Sequence, residues 1–273
     1  MKKTILITGA STGIGKETAI YFANKGWNVA ATMRNPDKDR SLEEHPNIKL
    51  FCLDVQDLES INQALKLAIE IFGGIDVVYN NAGYALVGAF EEMSTEQIKR
   101  QFDTNVFGVM NVTRAILPHF REKRGGIIIN TSSIAGRLTF PLYSIYHSTK
   151  WALEGFTESL QYELRSFNIK IKNIEPGVIK TDFYDRSMDI ATNPDLTTYR
   201  TYVSTTNSNM LKFGKSAPGP LVVAKKVYEA ANSNSFKLRY PVGGGAPILL
   251  FVHKLLPLSW FRGLVRSQVE KKS

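Results

Sequence analysis

With only one cysteine, Cys52, the chain has no intramolecular disulfide, which excludes the disulfide-braced small domains. The run around it, Lys49-Leu50-Phe51-Cys52-Leu53, predicts a buried, inert thiol and suits a reducing cytoplasm. No cluster of His, Cys, Asp and Glu has metal-ligand spacing, so no metal is expected. Met1-Lys2-Lys3 ahead of Ile5-Leu6-Ile7 starts like a leader, but Thr8-Gly9 ends the apolar run and no cleavage site follows. Long apolar runs are also missing. The strongest, Ala246 to Phe261, is interrupted by Pro247, His253, Lys254 and Pro257, which argues against a membrane span. Acidic residues are in deficit, 25 against 34 basic, for a net charge of +9. The basic residues are scattered, without zinc-finger spacing, a helix-turn-helix signal or an aromatic-basic stripe, so no nucleic-acid partner is expected. A basic surface equally attracts a polyanionic small molecule.

What remains is a chain of 273 residues, 43% apolar, enough for one domain over 1–273 with a full core. Short β-branched runs alternate with amphipathic helical patterns, without internal repeats. Strands are expected over Lys3–Thr8, Trp27–Met33, Ile48–Val55, Ile75–Tyr79, Ile127–Thr131 and Ile169–Glu175, with a last one over Arg239–Val242. Helices are expected over Lys16–Lys25, Leu58–Phe72, Gln97–His119 and Tyr143–Phe167. Such alternation predicts right-handed crossovers and an α/β fold: a doubly wound parallel sheet with helices on both faces.

Between the first strand and the first helix lies Gly9-Ala10-Ser11-Thr12-Gly13-Ile14-Gly15. Glycines there let the backbone turn tightly and approach a ligand, and the unpaired amides opening the helix suit a pyrophosphate. The spacing departs from Gly-x-Gly-x-x-Gly, so the strand-turn-helix context carries the reading. At the end of the second strand stand Met33 and Arg34, where an acid would mark NAD(H). An apolar residue followed by arginine leaves room and countercharge for a 2′-phosphate, which favours NADP(H). Asp37 nearby and the uncharged Thr12 leave NAD(H) open.

Tyr146 and Lys150, four residues apart, share one helix face. An ammonium beside a phenol favours the phenolate and makes the tyrosine a proton donor and acceptor nearer neutral pH. Ser132 and Ser133 follow a strand's carboxyl end, where open α/β sheets place ligands. Asn105, close to Gly108, is a poor helix former inside a helical pattern and predicts a local irregularity or a functional role.

Together, Thr8 to Gly15, Asn80-Asn81-Ala82-Gly83, Asn105, Ser133 thirteen residues before Tyr146, Lys150, and Pro176-Gly177 with Thr181 resemble the short-chain dehydrogenase/reductases in order and spacing, from Lys3 to Thr181. The likeness is to NADP(H)-preferring members of the 17β-hydroxysteroid and retinol dehydrogenase type. It implies a Rossmann-like fold, a nicotinamide cofactor and interconversion of an alcohol and a carbonyl in a small molecule. The same resemblance implies that Tyr146 gives a proton to the substrate carbonyl, which Ser133 orients. Lys150 would hold the nicotinamide ribose and tune Tyr146, and Asn105 would hold a water linking Lys150 to solvent. The cofactor would be lined by Gly9, Ser11, Thr12, Gly13, Ile14, Gly15, Met33, Arg34, Asp54, Val55, Asn81, Ala82 and Gly83, by Tyr146 and Lys150, and by Pro176, Gly177, Val178, Ile179 and Thr181. Ser132 and Tyr143 are off register for these roles, and His147 is expected to be structural. A homodimer or homotetramer is also implied.

Residues 184–216 are polar and weakly periodic, and in such a family this region covers the substrate. Met188, Ile190, Tyr199, Tyr202, Val203 and Met210 would give it an apolar inner face for a lipophilic carbonyl or alcohol. Residues 246–273 form an apolar and basic tail, expected to pack against the domain or a partner, with a peripheral membrane contact as the other use. Two further readings stay open: an NAD-linked alcohol dehydrogenase, and a catalytically silent nucleotide sensor or scaffold.

Overall fold

The computed structural model describes residues 2–181, 188–214 and 216–270. The first strand, β1 (Thr4–Ile7), is buried on both faces, as expected of a strand at the centre of a parallel sheet covered by helices on either side. It leads into α1 (Gly13–Asn24), β2 (Asn28–Met33), β3 (Ile48–Cys52), α2 (Leu58–Phe72) and β4 (Val77–Asn80). The Asp57 carboxylate starts α2 by accepting from the amides of Glu59 and Ser60, and Gly73 ends it in the left-handed region. Next come β5 (Ala85–Val87), α3 (Thr95–Phe102), a π-helical turn at Asp103–Phe107, α4 (Gly108–Glu122), β6 (Gly126–Thr131) and α5 (Ser144–Leu164). The chain continues with β7 (Ile169–Pro176), β8 (Met188–Ile190), α6 (Arg200–Gly214), α7 (Leu221–Asn232), β9 (Arg239–Val242), α8 (Ala246–Leu255) and α9 (Leu258–Val269).

Seven parallel strands form the main sheet in the order β3-β2-β1-β4-β6-β7-β9, while β5 and β8 pair separately. Alternate residues of each strand enter opposite core layers. Ile5, Ile7 and Val29 pack with Phe22 and Trp27 on one face; Leu6, Val78 and Ile128 pack with Ile116 and Phe120 on the other. Each such side chain contributes about 1.5–3 kcal/mol of burial. The chain winds outward in one direction from β1 to β3 and in the other from β4 to β9. Crevices at such a reversal, at the carboxyl ends of the strands, are where doubly wound sheets take ligands.

Two expectations change. Cys52 is exposed, because β3 is an edge strand and its alternation turns this position outward, with Sγ 3.3 Å from the Arg34 carbonyl oxygen. Within 184–216, residues 184–187 and 215 lie outside the described residues. Most of the remainder is ordered structure, β8 and α6, although its Thr, Asn and Ser content opposes helix. Packing overrides propensity there: Thr206 and Asn209 are buried, and Asn209 donates to the Val269 carbonyl. In the tail, Pro247 occupies the first turn of α8 and Pro257 caps α9, so the apolar run is divided between two helices, in keeping with its interruptions.

Gly243, Gly244 and Gly245 all have positive φ and bring the turn after β9 against Gly177 and Val178. A Cβ on Gly244 would lie 2.3 Å from the Val178 nitrogen, whereas one on Gly26, also at positive φ, meets nothing within 4 Å. Gly244→Ala is therefore expected to cost about 2–5 kcal/mol from strain plus overpacking, and Gly26→Ala only about 1–2 kcal/mol. Urea midpoints of the two variants check the difference.

Candidate active site

At the crevice, the ends of β1 and β4 are tied by side chains. Thr8 Oγ1 accepts from the amides of Asn81 (2.9 Å) and Ala82 (3.1 Å), while Asn81 Nδ2 donates to the carbonyls of Gly9 (3.1 Å) and Thr8 (3.2 Å). Gly9 has φ +65°, and a Cβ on it would stand 2.9 Å from Ala82 Cα. Only glycine permits that approach. Gly15 does not face the cleft: its missing Cβ would be 2.2 Å from the Gly9 carbonyl, so this glycine packs α1 under the loop. Thr12 precedes α1 without a side-chain cap, and the first turn carries no acid, so its amides are left for an anion.

The cleft above has a volume of about 540 Å³. Gly9, Ser11, Thr12, Gly13, Ile14, Met33 and Arg34 line one end, with Asp54, Val55, Asn81, Ala82 and Gly83 along the floor. Arg34 is exposed and lines the cleft; Asp37 does not. The other end holds Ser133, Tyr146 and Lys150, with Pro176, Gly177, Val178, Ile179 and Thr181 beside them. The tight glycine turn at Gly9, the uncapped amides and the basic side chains at both ends together fit a dinucleotide.

Lys150 is the electrostatic centre of this end. Its side chain is buried, Nζ donates to the Thr131 carbonyl at 2.7 Å, and it stands 5.6 Å from the centre of the Tyr146 ring. Burial pushes the ammonium down to about 8, and Glu154, one helical turn on, pulls it back up. Glu154 is itself buried; it accepts from Ser132 Oγ and, at 2.9 Å, from Arg239 Nε. Arg239 also lies 3.6 Å from Glu175, which pairs with Arg137 at 3.1 Å. Burial and the adjacent Glu154 push the Glu175 carboxyl up to about 7, against the pull of the two arginines. Ser132 also lines the cleft, but its Oγ donates to Glu154. Ser133 Oγ, at the cleft, accepts from the Ala135 amide (3.1 Å) and donates to the Pro176 carbonyl (3.4 Å).

Asn105 sits in the π-helical turn, where the sequence pointed to an irregularity, but it is buried and does not line the cleft. Its Oδ1 accepts from the Tyr84 amide (3.1 Å), and its Nδ2 donates to the Tyr84 carbonyl (2.8 Å) and Thr149 Oγ1 (3.4 Å). Both Nδ2 hydrogens are thus committed to the chain, to Tyr84 and to Thr149. His147 is a strut: Nδ1 bonds the Ala135 carbonyl, Nε2 accepts from the Phe140 amide, both at 2.8 Å, and burial pushes its pKa down.

Of the six residues expected to face inward from 184–216, Met188 and Met210 line the cleft, and Val203 packs beside Tyr143 and Tyr146. Ile190 is exposed, Tyr199 donates to Glu91 and Tyr202 to Glu270, so these three serve the outer surface. Further lining comes from Gln56, bonded to Thr104, and from Tyr84, Phe140 and Asp189. They arrive from separate segments without a local motif, so only the folded chain groups them. Tyr143 also lines the cleft, its ring edge-on to Tyr146 at 6.2 Å. Among the described residues no group of acids, histidines and cysteine is placed to hold a metal ion, and no helix is long and apolar enough to cross a membrane.

Known proteins share this sequence pattern and fold. The family model for short chain dehydrogenases matches residues 3–189. The chain is 38% identical to the uncharacterized oxidoreductase YusZ of Bacillus subtilis, covering 98% of this chain and 99% of that one. It is 40% identical to a 3-ketodihydrosphingosine reductase of Bacteroides thetaiotaomicron over 66% of this chain and 65% of that one. Among solved structures, ElxO with NADP bound superposes with a TM-score of 0.74 at 31% identity, covering 91% of this chain and 100% of that one. The protein belongs to the short-chain dehydrogenase/reductase family, oxidoreductases that work with a nicotinamide cofactor.

Proposed function

We propose that this protein is an NADP(H)-dependent oxidoreductase that interconverts a hydroxyl and a carbonyl on a lipophilic small molecule. The observation that carries the proposal is the convergence of Ser133, Tyr146 and a buried Lys150 at one end of a cleft whose other end offers helix amides and Arg34. When bound, the nicotinamide supplies or takes up the hydride. Everything else falls to the chain. Tyr146 gives its hydroxyl proton to the carbonyl oxygen in reduction and takes it back in oxidation, and Ser133 Oγ holds that oxygen in place. Lys150 supplies a positive charge beside Tyr146 and would hold the cofactor ribose, while Asn105 would hold the water that links Lys150 to solvent. Gly9, Thr12, Gly13 and Ile14 receive the pyrophosphate, with Gly15 supporting them from behind, and Arg34 takes the 2′-phosphate. ElxO, with NADP bound, supports that cofactor.

Met188, Met210, Phe140 and Tyr143 give the substrate side an apolar surface beside the Arg100–Asp189 ion pair, and one relative carries the name 3-ketodihydrosphingosine reductase. A long-chain or polycyclic ketone fits better than a small polar one. A cytoplasmic homodimer or homotetramer is the place and assembly that the resemblance implies.

The test is NADPH consumption across a panel of lipophilic ketones and aldehydes, with NADH in parallel. NADPH is expected to bind more tightly than NADH, and Arg34→Asp is expected to reverse the order, with a loss of NADPH affinity of about tenfold or more for the lost charge-assisted bonds. NADH binding as well as NADPH to the unaltered protein would make it an NAD-linked dehydrogenase. Tight NADPH binding without turnover on any carbonyl would instead make it a nucleotide sensor.

Lys150 sets the pH dependence. Its free-protein pKa of about 8 lies below the ordinary 10.5, so kcat/KM should fall as pH rises through about 8 and the ammonium is lost. Glu154 raises that value, so Glu154→Gln should move the fall to lower pH. Glu158→Gln, at an exposed carboxylate that also meets Arg239, should not. A pH profile of kcat/KM for each variant checks this.

A further inference from the structure

The α8–α9 hairpin buries only one side. Ala246, Leu249, Leu250, Phe261 and Val265 pack on Ile134, Leu138 and Phe140. The opposite side exposes Ile248 (71%), Phe251 (62%) and Leu255 (64%) at helical spacing on α8, and Leu258, Trp260 (68%) and Leu264 on α9. Large apolar side chains this exposed and this close together mark an interaction surface. No acidic residue occurs between Ala246 and Val269, whereas Lys254, Arg262 and Arg266 are all exposed there. Among the described residues, Arg266 alone of these meets an acid, Glu270, at 2.9 Å.

We propose that this hairpin docks on the surface of an anionic phospholipid bilayer, its apolar side chains entering the acyl boundary and Lys254, Arg262 and Arg266 meeting the headgroups. A helix pair with one buried face, aromatic and aliphatic residues outside, and cations without acids has the composition of an interfacial anchor. Charge complementarity selects the lipid over a second copy of the chain. A symmetric dimer through this face would set its cations against each other, with no acidic residue between Ala246 and Val269 to offset them. The position of the hairpin gives docking a use. Its underside rests on Ile134 and Phe140, which line the cleft, and α9 holds α6, which carries Met210 over the cleft, through Asn209 and Tyr202. Docking would place the cleft rim beside the bilayer.

The experiment is cosedimentation of the full chain with vesicles of phosphatidylglycerol and phosphatidylcholine, against vesicles of phosphatidylcholine alone. Binding is expected to the anionic vesicles, to weaken with added salt as charges are screened, and to fall about tenfold or more in a Phe251→Ser, Trp260→Ser double variant. A Lys254→Glu, Arg262→Glu variant should lose the preference for anionic lipid. NADPH affinity, measured on each variant, should stay at the unaltered value and shows that the fold is intact. Equal binding to both vesicle types, or no binding to either, overturns the proposal. So does a dimer in sedimentation velocity that the Trp260 variant dissociates without any vesicle binding, since the occupant would then be a second copy. None of these outcomes bears on the carbonyl chemistry, which the cofactor and turnover measurements test separately.

Discussion

A buried ammonium is expensive, and the arrangement of this site follows from how Lys150 is compensated. Its first partner is the Thr131 carbonyl at the end of β6; its second is the charge of Glu154 one turn along α5. Glu154 can be buried only because Ser132 and Arg239 satisfy it, and Arg239 in turn meets Glu175 on β7, which Arg137 also holds. The charge on Lys150 is thus secured by a chain of groups running from β6 through α5 to β7 and β9. Ser132 and Ser133 divide the work between them. The Oγ of one faces inward to the carboxylate, and that of its neighbour, by the alternation of an extended chain, faces the cleft.

At the cofactor end the constraint is space. Gly9 and Gly15 let β1, α1 and β4 come within van der Waals contact, and the Thr8–Asn81 bonds fix that approach. Gly177 and Gly244 do the same on the far side, where the turn after β9 supports the Pro176–Thr181 segment. Rigid walls on both sides leave α6 and the β5–β8 pair to complete the substrate side.

Much of this was legible in the sequence, for reasons that are local. Strand-helix alternation, the glycine turn, and Tyr146 with Lys150 on one helix face depend on neighbours in the chain, and the irregularity at Asn105 showed in helix propensities. What was hidden depends on distant partners. Arg239 and Glu175 look like ordinary charges until the sheet sets β7 beside β9. Gly243 to Gly245 take their role from Val178, which lies far away in the chain. Cys52 looked buried because apolar neighbours do not reveal that β3 is an edge strand, and α6 was missed because its stability comes from α9. Gly15 was placed in the cleft by motif, whereas the folded chain uses it for packing beneath the loop.

The central claim is that Tyr146 carries the proton while the rest of the cleft holds the cofactor. The most direct measurement is turnover and NADPH affinity of Tyr146→Phe beside the unaltered protein, on whichever carbonyl the panel identifies. The account predicts turnover reduced by about a hundredfold or more, the usual worth of a positioned acid, with NADPH affinity close to the original. Full turnover without the hydroxyl would contradict it.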